Sequence, residues 1–288
     1  MNRRDFMGVA ASAAMLGAAS QGVRIGCQTR SYFAPVKDRS RLLRALDDIA
    51  AAGFAGFETN QLCLADAFAN PGPMKEEMAR RKLELFGLHL GGRLHETAGA
   101  AKAREDTLRV AKGIRALGGG ALVFSPAAVN GLTGAELQAA FHRKADELTA
   151  LGRICNGEGV RLCVHNHNEE TLRGWAEFRV TGDKTRPREV WFLVDLGPSA
   201  LTGQDPVSFL TDYHSRIAGL HVRDYQGEKQ VRLGAGSVNL KGAAEALNRL
   251  RWSGWVLVEQ EAGTIPGLTT EQASRQALKY IREEMKFG

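Results

Sequence analysis

The 288-residue sequence has four cysteines, at positions 27, 63, 155 and 163, and no C-x-x-C pair among them. That absence excludes a zinc ribbon and a thioredoxin-like redox centre, which both need closely spaced thiols. Cys27 and Cys163 fall in strand-like stretches and read as small buried apolar residues. Aromatic residues make up only 7% of the chain, and no basic stripe is interleaved with them. The net charge is +6, with positive residues scattered in clusters such as Arg39-Ser-Arg41 and Arg80-Arg-Lys82. Such clusters read as solvated helix faces, so nucleic acid is not an expected partner. Hydrophobic content of 44% and charged content of 24% are those of a globular protein. No linker or composition shift divides the main body of the chain, so one domain is expected there.

Comfortable bilayer-spanning runs are also missing. The nearest approach is Gly8–Ser20, preceded by Met1-Asn-Arg-Arg-Asp-Phe-Met7. A charged start, a short run of small apolar residues and no acid inside it describe a signal segment. Arg3-Arg4 followed by Asp-Phe resembles a twin-arginine (Tat) export signal. Residues 1–20 are therefore expected to be the signal and 21–288 the folded domain. The expected location is periplasmic, with membrane anchoring only if the segment stays uncleaved.

The rest of the chain alternates strand-like and helix-like patterns. Strand starts fall near 24, 54, 85, 121, 160, 190, 217 and 255. Helical patterns are read at 39–52, 74–82, 101–117, 134–155, 205–215, 240–250 and 270–285, with 171–189 as a poorly patterned connection. Eight βα units in roughly 250 residues predict an α/β fold of the (β/α)8 TIM-barrel kind. A doubly wound sheet would show a Gly-rich turn after the first strand, and Gly26-Cys-Gln-Thr does not supply one.

The strands end in ionisable residues. Arg161-Leu-Cys-Val-His-Asn-His-Asn-Glu-Glu170 alternates like a strand and then delivers two histidines and two glutamates. Glu58, His89, Asp195, His221 and Glu259 end other strands. A barrel gathers the carboxyl ends of its strands on one face. Six such groups cannot be buried there unpaired, so they must meet each other, a metal or a ligand. Arg93, Arg223 and Gln260 follow closely after three of these ends, and His167 and Glu169 after the fifth.

Four pieces carry a resemblance: Val164-His-Asn-His167; Asp195-Leu-Gly-Pro198 with Asp205-Pro-Val-Ser-Phe-Leu210; Arg216-Ile-Ala-Gly-Leu-His-Val-Arg-Asp224; and Gly254-Trp-Val-Leu-Val-Glu-Gln260. In this order and spacing the chain resembles the sugar phosphate isomerase/epimerase, or xylose-isomerase-like, TIM barrels. The resemblance implies a divalent metal, manganese foremost, with magnesium, zinc or iron as alternatives. Its ligands would be His165, Asp195, His221 and Glu259. The implied reaction is isomerisation or epimerisation of a sugar, keto-sugar or related polyol. Protons would be carried by Glu259 on one face and by His165, His167, Glu58 or Glu169 on the other. Substrate contacts would come from His89, Arg93, Glu169, Arg223 and Gln260.

Three departures stand out. The fifth-strand carboxylate of many relatives is His165 here. Pro198 replaces a histidine, and the loop 233–239 carries Ala235 and Ser237 in place of two glutamates. Two further readings stay open: a lyase or dehydratase of a keto-polyol on the same site, and a non-catalytic carbohydrate-binding barrel.

Overall fold

Each apolar run predicted as a strand finds a parallel neighbour in the computed structural model, which describes residues 22–261 and 263–288. The strands are β1 (Arg24–Gln28), β2 (Gly56–Asn60), β3 (Glu84–Gly92), β4 (Ala121–Pro126), β5 (Arg161–His165), β6 (Trp191–Asp195), β7 (Ile217–Val222), β8 (Asp224–Gln226), β9 (Lys229–Val231) and β10 (Trp255–Val258). Eight of them close in the order β1-β10-β7-β6-β5-β4-β3-β2, while β8 and β9 form a separate antiparallel hairpin. The fold is the expected (β/α)8 barrel, with β10 as its eighth strand. The predicted signal, residues 1–20, lies outside the described residues. No helix among the described residues is long and apolar enough to cross a membrane.

The helices are α1 (Arg39–Ala52), α2 (Gly72–Arg80), α3 (Thr97–Leu117), α4 (Gly134–Gly157), α5 (Asn168–Lys184), α6 (Gly197–Leu201), α7 (Pro206–Tyr213), α8 (Leu240–Arg249) and α9 (Thr270–Glu283). Local signals set their ends. Asp38 caps α1 by accepting from the Arg41 N–H, and Gly53, at φ 94°, closes it in the left-handed region.

The barrel strands are covered on both faces, so β7 and β10 are buried throughout. Phe86, Ala121, Val123, Cys163, Leu193, Ala218, Trp255 and Leu257 form a separate core cluster of strand residues. The larger core packs the strands against the helices. At Gly87 any Cβ would sit 2.1 Å from the carbonyl oxygen of Ala121, its register partner on β4, so glycine permits the close approach of β3 and β4 there.

The sequence reading needs two corrections. The stretch 171–189 is not an unpatterned connection: most of it belongs to α5. Its periodicity is broken because Arg173, Gly174 and Trp175 adopt positive φ, splitting the helix after its first turn. Trp175 packs with Phe178 and Phe209, at 6.1 and 5.1 Å between ring centroids. Burial of that aromatic cluster accompanies the break in local helical pattern. The other correction is the β8–β9 hairpin with α6, short elements that carried no periodic signal.

Candidate metal centre and active site

Strand alternation builds the site. Cys163, Leu193 and Leu257 belong to one core cluster. Two residues further along each strand, on the same face, come His165, Asp195 and Glu259. His221 lies beside Asp195 in the β6–β7 register and beside Leu257 in the β10–β7 register. One ligand atom from each of His165, Asp195, His221 and Glu259 lies within 4.8 Å of the others, and all four residues are buried. His221 Nδ1 is 3.0 Å from Glu259 Oε2. His165 Nε2 is 3.8 Å from both Asp195 Oδ2 and Glu259 Oε2.

These four residues fit a divalent metal. His165 Nε2, His221 Nδ1 and Glu259 Oε2 are buried yet make no hydrogen bond of acceptable geometry. Buried polar atoms are normally satisfied, so three orphans converging on one point call for a partner. Two imidazole nitrogens and two carboxylates are a donor set that zinc, manganese and iron accept.

Around the cluster lies a ring of supporting groups. Glu58 is fully buried; its Oε2 accepts from His221 Nε2 at 2.7 Å. Its Oε1 is 3.1 Å from His89 Nδ1 and 3.2 Å from Gln28 Nε2. Burial pushes the Glu58 carboxyl up, but the His221 charge and the bonds from His221 and His89 more than offset this and hold it at about 2. For His221, burial acts downward, but the charges of Glu259 and Glu58 raise it well above an ordinary histidine. Burial takes His165 down to about 4, so its ring is neutral near pH 7. Burial also pushes Glu259 up, yet His221 and Arg223 hold it well below the carboxylate range.

Sequence reasoning missed the roles of several further residues at or near the site. Ser125, near the end of β4, places its Oγ 2.6 Å from His89 Nε2 and 3.3 Å from His165 Nδ1. Asn166, between the two histidines of the His-Asn-His motif, clamps β6: it donates to the Asp195 carbonyl at 3.0 Å and accepts from the Asp195 N–H at 2.8 Å. Lys144 is buried on α4, with Nζ donating to the Ala127 carbonyl at 3.0 Å, paired with Glu177 and 3.8 Å from Glu170. A signal for Lys144 existed, because it falls at helical spacing between the apolar Phe141 and Leu148.

The remaining predicted residues divide. Glu58 is sealed with both oxygens taken, so it orients His221 and His89; it is not free to meet substrate. His167 is exposed at the start of α5, with its ring 5.2 Å from that of His165. Its N–H donates to Glu170 Oε2 at 2.8 Å. Glu169 is exposed on the first turn of α5, and the buried carboxylate there is its neighbour Glu170. Arg93 is exposed and pairs with Glu96 at 3.0 Å, so the structure does not bring it to the cluster. Arg223 forms an ion pair with Asp195 and lies 3.9 Å from Glu259. Gln260 is buried and donates to the Val231 carbonyl at 3.2 Å, tying the end of β10 to the hairpin. Asp224 organises the glutamate-free loop, accepting from the N–H groups of Gly234, Gly236 and Val238 at 2.9–3.1 Å.

Residues 46–284 match the model of the xylose isomerase-like TIM barrel family, and the chain belongs to that family. Among curated proteins, it is 25% identical over 162 residues to an inosose dehydratase of Clostridium beijerinckii. That match takes in 50% of this chain and 54% of the relative, so it spans about half the relative's length. An inosose dehydratase of Geobacillus thermodenitrificans is 23% identical over 274 residues, covering 83% of this chain and 88% of the relative. Two solved structures share the fold at a TM-score of 0.76. One is a D-allulose 3-epimerase from Methylomonas sp. in complex with D-allulose, 16% identical, covering 91% of this chain and 97% of that one. The other is the IOLI protein with a zinc atom, 17% identical, covering 92% of this chain and 99% of that one.

Proposed function

We propose that this protein is a divalent-metal-dependent isomerase or epimerase acting on a small sugar, keto-sugar or polyol. The observation that carries the reading is the convergence of His165, Asp195, His221 and Glu259 within 4.8 Å. A relative that binds zinc favours a divalent metal. When bound, the metal would chelate vicinal oxygens of the substrate and acidify the carbon-bound proton beside its carbonyl.

The chain's own residues then divide the work. Asp195 has Oδ1 accepting from the Gly197 N–H at 2.9 Å and Oδ2 paired with Arg223, so it holds position. Glu259 would give Oε2 to the metal and takes the proton on its other carboxylate oxygen. Of the groups predicted to act opposite it, Glu58 is sealed and His165 is committed to the cluster. Exposed His167 and Glu169 remain, and His167, with its ring 5.2 Å from that of His165, returns a proton to the other face.

A second reading is favoured by the curated relatives, both named inosose dehydratases. The first proton transfer is the same, and His167 then protonates a departing β-hydroxyl, releasing water. The test is to incubate manganese- or zinc-loaded protein with keto-sugars and inososes in deuterated water. Solvent deuterium in recovered sugar supports epimerisation; a product lighter by one water supports dehydration. Binding without turnover at any metal loading would instead leave a carbohydrate-binding barrel.

A further inference from the structure

Ser125 belongs to none of the motifs, yet its hydroxyl joins two of the site's imidazoles. The chain of contacts begins at Glu58, fully buried, with Oε1 3.1 Å from His89 Nδ1. A carboxylate only accepts, so His89 Nδ1 carries a hydrogen. A ring carrying that one hydrogen offers a bare lone pair at Nε2, which is 2.6 Å from Ser125 Oγ. Ser125 has one hydrogen to give, and it goes there. Toward His165 Nδ1, at 3.3 Å, the serine oxygen can then only accept. His165 therefore carries its hydrogen on Nδ1 and presents a bare Nε2. That Nε2 is the orphan atom facing Asp195 and Glu259.

We propose that Ser125 is a positioning residue that, with Glu58 and His89, fixes the Nδ1–H tautomer of His165 and aims its Nε2 lone pair into the cluster. A carboxylate at the end of β5 would need no such device, because either oxygen can coordinate. A histidine needs one, since only one tautomer leaves the inward nitrogen free. Glu58 sets both imidazoles at once: its Oε1 starts the chain to His165, and its Oε2 accepts the hydrogen bond from His221 Nε2–H. His221 is thereby turned to present Nδ1.

The inference rests on reading the four residues as metal ligands, and the experiment separates the two ideas. Histidine ring 15N NMR on the chelator-treated full-length protein reads the tautomer with no metal or substrate present; His165→Gln assigns the signal. The expected wild-type pattern is protonated Nδ1 and bare Nε2 at His165. Ser125→Ala should shift His165 toward the Nε2–H form and weaken Mn2+ and Zn2+ binding, followed by calorimetry, about 10–100-fold. Ser125→Thr keeps the hydroxyl and should restore both. An Nε2–H tautomer in the wild type means the chain runs in reverse and overturns the proposal, even if Ser125→Ala does not fold. Unchanged tautomer and metal affinity in folded Ser125→Ala overturns it too. The expected tautomers in a wild type that takes up no metal would support the chain and remove the metal assignment.

Discussion

Glu58 and His221, 163 positions apart in the sequence, meet through a 2.7 Å hydrogen bond in which Glu58 Oε2 accepts from His221 Nε2. Both are fully buried. The bond commits one ring nitrogen to the carboxylate and leaves the other to the cluster. Carboxylate–histidine pairs of this kind orient metal ligands.

Removing Glu58 should therefore affect stability as well as the site. Glu58→Ala strands the buried ring of His221 and the half-buried ring of His89 and should destabilise the metal-free protein by about 3–5 kcal/mol, the usual cost of breaking a buried pair. Glu58→Gln, which can still accept from His221, should cost less. Urea unfolding of the three proteins is the measurement, and equal midpoints would mean that the pair carries no stability.

The same pair predicts a pH window. Glu58 is held at about 2 against 4.5, so its contribution is full above 4.5 and fades as pH falls toward 2. His221 is raised above 6.5, so its contribution is full below 6.5 and fades as pH rises through the higher folded value. Metal-free protein should thus gain most from this pair between about pH 4.5 and 6.5. Urea midpoints in chelator across pH 3–9 should fall less steeply on both sides in Glu58→Gln.

Metal uptake should release protons. His221 must surrender its proton before Nδ1 can coordinate. Calorimetry of Zn2+ binding at pH 6 in buffers of different ionisation enthalpy should show about one proton released per metal. A heat independent of buffer would contradict the protonated His221. Chelation should abolish turnover, and added metal should restore it.

Lys144 faces two buried carboxylates, Glu170 and Glu177. Burial pushes both carboxyls up, with Lys144 opposing. Lys144→Met leaves the carboxylates without their cation and should destabilise by about 3–5 kcal/mol. Adding Glu170→Gln and Glu177→Gln should recover much of that loss. Denaturation of the single and triple variants checks this, and a triple variant no better than the single would remove the charge explanation.

On the sequence alone, we propose that residues 1–20 direct twin-arginine export. Arg3→Lys with Arg4→Lys should then retain a folded protein in the cytoplasm. Immunoblots of cytoplasmic and periplasmic fractions test it, and normal periplasmic accumulation of the double variant would remove the twin-arginine reading.

The sequence by itself determined the barrel and the residues at its mouth. Apolar strands at regular spacing, each ending in His, Asp or Glu, are local patterns, and local patterns survive in one dimension. His165, Asp195, His221 and Glu259 were legible as strand-end residues that a barrel gathers on one face, and the family resemblance supplied their reading as a metal set. Tertiary structure alone decided the partners. Glu58 reads as one more strand-end carboxylate until closure sets it against His221 and His89. Ser125 carries no signal, and Asn166 stood inside the His-Asn-His motif without a role, since a hydroxyl or amide matters only through what it touches. Arg93 and Glu169 stand close to site residues in the chain but are exposed, whereas Lys144 and Glu170 lie buried together. Closing eight strands into a ring brings residues far apart in sequence within hydrogen-bond reach, and that distance is a property no stretch of the chain contains.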